Sequence, residues 1–219
     1  DPGLAGADWA SWKFTSSITN RDPVAMAYVF QTPPAGPDAA KDPRAFALDF
    51  PVDQGLDLIA ATQAPYNESS LSFMTPPTGD QLGTLRARGG KLLVFHGTAD
   101  GVFSTDDTIA WMQQLATPAR GGTADDFARL YLVPAMNHCR AGPATDQFDL
   151  LTPLVDWVEN GQPPQAVTAR VRGAGSAVPN TELPAGWAAD RSRPLCPWPQ
   201  VARYSGNGDI ERAENFRCQ

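Results

Sequence analysis

Two side chains with acid–base chemistry follow apolar runs in this sequence. Asp100 ends Lys91-Leu-Leu-Val-Phe-His-Gly-Thr-Ala-Asp100. His138 ends Leu130-Tyr-Leu-Val-Pro-Ala-Met-Asn-His138. An imidazole titrates near neutral pH and can carry a proton, and a buried carboxylate can hold that ring in place. Asp100 and His138 are therefore candidates for the acid and base of a nucleophilic hydrolysis. The third member would be an activated hydroxyl with backbone N–H groups facing the developing oxyanion. Ser11, Ser16, Ser17, Ser69, Ser70, Ser72, Ser104, Ser176, Ser192 and Ser205 all lack the strand–turn–helix setting of a nucleophile elbow. Ser104 is nearest to Asp100, but it opens a helix. The chain is expected to carry two thirds of a triad.

Other groups fit chemistry less well. His96 precedes its turn and reads as a structural histidine, hydrogen-bonded across strand ends. Two histidines without His-x-x-x-His or Cys-x-x-Cys make no zinc set. Asp106-Asp107 and Asp125-Asp126 read as helix-start and loop charges rather than calcium ligands. Trp9, Trp12 and Phe14 read as local packing in preference to substrate contacts.

The elements that would position Asp100 and His138 are strands. A continuous apolar run fits a strand buried on both faces of a parallel sheet, and working residues lie beyond the carboxyl ends of such strands. Strands are expected from Lys91 and over 127–133. A short helix over 80–90, capped by Asp80, precedes the first strand. A helix from near Ser104, with Ile109, Met112 and Leu115 on one face, separates the two and ends by Pro118 and Gly121-Gly122. A longer helix is expected over 146–160, with a stripe of Phe148, Leu151, Leu154, Val155 and Val158 and a stop at Gly161. Residues 167–171 alternate like an edge strand. Residues 1–78 are rich in Pro, Gly and Ala clusters and read as irregular, without a core of their own.

The composition is that of a globular protein: 219 residues, 42% hydrophobic, 19% charged, net charge -7. With no run of Lys or Arg, the chain is not expected to bind nucleic acid or an anionic membrane surface. No apolar stretch is long enough to span a bilayer. The first residues lack a signal peptide's pattern, so a mature protein, a processing product or a fragment is expected. Of Cys139, Cys196 and Cys218, two lie in a Pro- and Gly-rich tail that a disulfide would staple. Reduced thiols in a cytosolic enzyme are equally open from counting.

Longer stretches carry a resemblance. They are Gly89-Gly-Lys-Leu-Leu-Val-Phe-His-Gly-Thr-Ala-Asp100, the run from Phe127 to Cys139, Gly142 to Asp149 with Leu151 to Val158, Arg193-Pro-Leu-Cys-Pro-Trp-Pro199, and Ala202 to Cys218. From about residue 80 onward the chain resembles the C-terminal part of the tannase and feruloyl esterase family. The resemblance implies an α/β class. Residues 80–219 would be the C-terminal part of an α/β-hydrolase core, and residues 1–79 the end of an inserted lid. Asp100 would be the triad acid and His138 the base, and Phe103 would contact the aromatic acyl group. Cys196 would bridge to Cys218. Cys139 would pair with a cysteine outside this chain, beside the nucleophilic serine, in an N-terminal half that some members carry as a disulfide-linked chain. The implied function is a serine carboxylesterase for feruloyl, galloyl or terephthaloyl esters, secreted or periplasmic. No cofactor is implied in this chain, and a structural calcium in the missing lid region is. The alternative is a non-catalytic fragment or binding module that keeps half of the fold.

Overall fold

The computed structural model describes residues 4, 6–78, 82–116 and 124–219. It divides into two compact units, one of residues 10–77 and one of residues 1–9 with 78–219.

The unit of residues 10–77 is helical, where the sequence reads as irregular. After a short α1, Ala7–Ser11, a wide π-type helix, Trp12–Arg21, runs into α2, Asp22–Tyr28. Then come a 3-10 turn at Pro37–Ala40, α3 at Pro43–Asp49, α4 at Val52–Ala60 and α5 at Ser70–Met74. The helices coexist with the prolines because α2, the 3-10 turn and α3 all take a proline in their first positions. There its missing N–H costs nothing and its fixed φ suits the helix. Long-range polar contacts tie the unit together: Thr32 N–H donates to Leu58 O at 3.0 Å, and Ser70 Oγ to Val29 O at 2.5 Å. Leu48, Val52 and Leu56 are each at least 66% exposed.

The larger unit holds the α/β part. Helix α6, Gly83–Ala87, is shorter than the sequence suggests, and Asp80 lies outside the described residues. Strand β1, Leu92–Gly97, pairs in parallel with β2, Ala128–Val133, and α7, Thr105–Leu115, connects them. Ser104 caps α7 by accepting from Asp107 N–H at 3.3 Å. Pro118 and Gly121-Gly122 fall outside the described residues. Alternate residues of β2 serve two cores. Ala128 and Leu130 pack with Met112, Leu115 and Phe127. Tyr131 and Val133 pack with Met136, Ala144, Val167, Ala169 and Leu195. Strand β2 is therefore buried on both faces, as a parallel strand should be. β1 is not: Phe95 remains 42% exposed, edge-on to Phe148. Among the described residues β2 is the strand that pairs with β1.

Helix α8 spans Leu151–Asn160 and begins five residues later than 146. Asp149 accepts from the N–H groups of Leu151 and Thr152 at 2.8 and 3.1 Å, and so starts the helix there. A start at 146 would place Pro153 in the helix interior, where it breaks a hydrogen bond; in the first turn it is tolerated. Gly161, at φ +68°, ends the helix in the left-handed region. The expected apolar stripe is not the buried face. Trp157 is buried, while Leu151, Val155 and Val158 are 69, 42 and 54% exposed. Strand β3, Val167–Arg170, alternates buried and exposed and pairs antiparallel with β4, Ser192–Leu195. β5, Ala202–Tyr204, pairs antiparallel with β6, Phe216–Cys218, and a Cys196–Cys218 disulfide binds this tail together. The tail also flanks β2, through Trp198 N–H donating to Leu130 O at 2.8 Å.

Candidate active site

The register Gly97↔Val133 brings the carboxyl ends of β1 and β2 level, so the turns that follow meet. Three hydrogen bonds join them: Thr98 N–H donates to Val133 O, Ala99 N–H to Met136 O, and Ala135 N–H to Thr98 Oγ1. Met136 N–H closes the second turn on itself by donating to Val133 O. This approach needs glycine at Gly97, since a Cβ there would lie 2.2 Å from Met136 O.

Asp100 and His138 come together at this junction. The Asp100 side chain is 5% exposed, and its Oδ2 lies 3.0 Å from His138 Nδ1. Its Oδ1 accepts from Val102 N–H at 2.7 Å and Phe103 N–H at 3.0 Å. Burial alone would push this carboxyl up. The His96 and His138 imidazoles and the two backbone N–H groups together outweigh burial and hold it well below the usual carboxylate range. An ionised Asp100 facing Nδ1 fixes the proton of a neutral His138 there. Nε2 is then the nitrogen that can accept a proton. The His138 side chain is 28% exposed. Phe103 is 59% exposed, with its ring centroid 5.5 Å from that of His138.

The base loop takes an unusual backbone course. Ala135, Cys139 and Ala141 have φ of 60, 64 and 63°, where non-glycine residues are rare, and Gly142 follows at 74°. Distant residues hold it there. Asp146 Oδ2 accepts from Ala141 N–H at 2.7 Å, and Arg172 grips that oxygen through Nε at 3.0 Å and Nη2 at 2.6 Å. Asn180 donates to Gly142 O at 2.8 Å, and Asn137 Nδ2 reaches Glu182 Oε2 at 3.4 Å. Cys139 is a free, exposed thiol beside the base.

Sequence reasoning missed several of these groups. Asp146 reads as a helix start but serves as the clamp of the loop. Arg172, Asn180 and Glu182 carry no local signal. His96, read as structural, points Nε2 to 3.4 Å from Asp100 Oδ2. Trp9 lies against the acid turn, where a Cβ on Gly101 would stand 3.2 Å from its Nε1. Among the described residues no group of three or more His, Cys, Asp or Glu is placed to hold a metal ion. No helix among them is long and apolar enough to cross a membrane.

Known proteins share both the sequence and the fold. Residues 6–219 match the family model described as tannase and feruloyl esterase. Mono(2-hydroxyethyl) terephthalate hydrolase of Piscinibacter sakaiensis is 41% identical over 230 residues, covering 99% of this chain and 36% of that protein. A probable feruloyl esterase of Arthroderma benhamiae is 34% identical over 140 residues, covering 63% of this chain and 24% of that protein. The crystal structure of feruloyl esterase B from Aspergillus oryzae superposes with a TM-score of 0.53 at 22% identity, covering 78% of this chain and 33% of that one. That likeness supports the α/β fold alone. The chain thus spans about a quarter to a third of the length of these relatives, and it belongs to the tannase and feruloyl esterase family.

Proposed function

We propose that this chain is the C-terminal portion of a serine carboxylesterase that cleaves esters of aromatic carboxylic acids of the feruloyl, galloyl or terephthaloyl type. The observation that carries the reading is the 3.0 Å pair of Asp100 and His138 at the level ends of two parallel strands. The relatives' printed names supply the ester class.

A serine outside these residues attacks the ester carbonyl as His138 Nε2 takes its proton. The imidazolium returns that proton to the leaving alkoxide. Asp100 holds the ring and offsets its charge throughout. A water then attacks the acyl-enzyme as it gives a proton to His138, and the imidazolium returns that proton to the serine oxygen as the bond to it breaks and the aromatic acid leaves. Phe103, exposed beside His138, lies where it can meet the aromatic ring of the acyl group.

The serine belongs to an N-terminal half of the same enzyme, and three features of this chain support such a partner. β1 carries exposed Phe95 on a face that a parallel sheet would cover. Leu151, Val155 and Val158 form an exposed apolar row on α8. Cys139 offers a thiol next to the base for a disulfide to that half. On this reading residues 1–79 are the end of an inserted lid, the protein is secreted or periplasmic, and a structural calcium sits in the part of the lid outside this chain.

The test uses the full-length enzyme. It should hydrolyse at least one of a feruloyl, a galloyl and a terephthaloyl ester, and a fluorophosphonate should label one serine outside these 219 residues and stop turnover. A protein inert toward all three esters, and unlabelled, is a non-catalytic module, and the reading fails.

A further inference from the structure

We propose that His96 is a positioning residue for the catalytic pair, a second imidazole that shares Asp100 Oδ2 with His138. The inference rests on the triad reading above and extends it by one residue, held in turn by Thr108.

His96 Nδ1 lies 2.7 Å from Thr108 Oγ1 on α7, and Nε2 lies 3.4 Å from Asp100 Oδ2. The side chain is 10% exposed, and its Nε2 is buried, makes no hydrogen bond among the described residues and has Asp100 Oδ2 within ion-pair distance. A buried ring N–H is costly unless something uses it. An apolar ring of similar size would fill the same space without that cost. The group that justifies Nε2 is the carboxylate it faces.

In the tautomer that accepts the Thr108 hydroxyl at Nδ1, the proton of a neutral His96 sits on Nε2, toward Asp100. Asp100 then has every side occupied. Val102 and Phe103 N–H hold Oδ1. His138 and His96 meet Oδ2 from two directions. At 3.4 Å the His96 contact is long and weaker than that of His138. It restrains rotation of the carboxylate, and it draws part of the oxygen's negative potential away from His138. The ionisable groups on the elements meeting here are Asp100, Asp106 and Asp107 at the start of α7, and His138, Cys139 and Arg140 on the base loop. Of these, Asp100 lies within ion-pair distance of His96.

The experiment compares variants of the full-length enzyme on an aromatic ester. His96→Phe should fold and lower kcat about tenfold, the order of one charge-assisted hydrogen bond, with KM changed less than about threefold. The acid limb of its pH–rate profile should move to higher pH, because the carboxylate's charge then acts on His138 undivided. His96→Gln, which keeps an N–H in reach of Asp100, should recover most of the rate. A purely structural His96 would change melting temperature but leave kcat and the acid limb of the folded enzyme alone, and that result overturns the proposal. If His96→Phe does not fold, Thr108→Val is read in its place. About threefold lower kcat with the same shift of the limb supports the inference, and wild-type values overturn it. His138→Ala keeps the two claims apart. Its inactivity beside a fully active His96→Phe sinks this inference alone, whereas its full activity sinks the triad as well.

Discussion

Asp100 and His138 stand level at the ends of paired strands, but their turns are built by different means. The acid turn is made from itself. Asp100 accepts from the N–H groups two and three residues on, and Ser104 caps the helix that follows. The base loop is made from afar. Its left-handed residues persist because Asp146, Arg172, Asn180 and Glu182 hold the backbone and side chains between them. A short-range device places the group that stays ionised. A long-range one places His138, the proposed base, which remains partly open to solvent. The contrast predicts that distant substitutions damage the base and spare the acid.

The largest such effect should come from Arg172→Leu. The Asp146 side chain has no exposure and that of Arg172 has 15%, so removing the cation strands a buried carboxylate. That costs about 3–5 kcal/mol, read as a lower urea midpoint of the full-length enzyme. The surviving folded enzyme should lose kcat as the base loop relaxes. Replacing Asp146 and Arg172 together by leucine should cost less than Arg172→Leu alone. If the double replacement is the worse of the two, the ion pair is not a clamp of this kind.

The next effect is on the segment that flanks β2. Cys196 and Cys218 are 22 residues apart, and opening their bridge with Cys196→Ser should cost roughly 3 kcal/mol in the chain-entropy model. Trp198, two residues from Cys196, reaches Leu130 in the strand that leads to His138. Activity should therefore fall at a lower temperature in this variant, in step with the loss of β2's flank. Unchanged melting under oxidising conditions would remove the bridge from the account.

The smallest effect is on the acid side and is one of pH. Asp100's carboxyl is held below its ordinary value in the folded chain. Its contribution to stability is therefore full above the unfolded value, about pH 4, and is lost as pH falls below it. In Asp100→Asn that loss is absent, so its melting temperature should fall less steeply than wild type between about pH 4 and pH 2. Equal slopes would mean that the turn does not stabilise the anion.

The same contrast explains what the sequence made legible. The helix start at Ser104 and strands β1 and β2 are legible because their causes lie within a few residues. The stop at Gly161 was readable for the same reason. The start of α8 was misplaced because Phe148 continues the apolar stripe, while Asp149 and Pro153 decide the boundary. The helices between residues 12 and 60 were hidden because proline at a helix's first turn looks like proline in a loop. The apolar row of α8 is legible as a stripe, but periodicity reports an apolar face without saying what covers it. Arg172, Asn180 and Glu182 lie 26 to 45 residues from the groups they hold. No spacing rule connects such residues. His96 reads as structural in the sequence, and nothing local says which way its ring turns.

The most direct test of the account is turnover by His138→Ala in the full-length enzyme on an aromatic ester that the wild type cleaves. The account predicts a folded protein whose kcat/KM has fallen by at least about a thousandfold, as expected when a triad loses its base. A folded variant with near-wild-type kcat/KM would contradict it, because the pair of Asp100 and His138 would then not be the acid and base of the reaction.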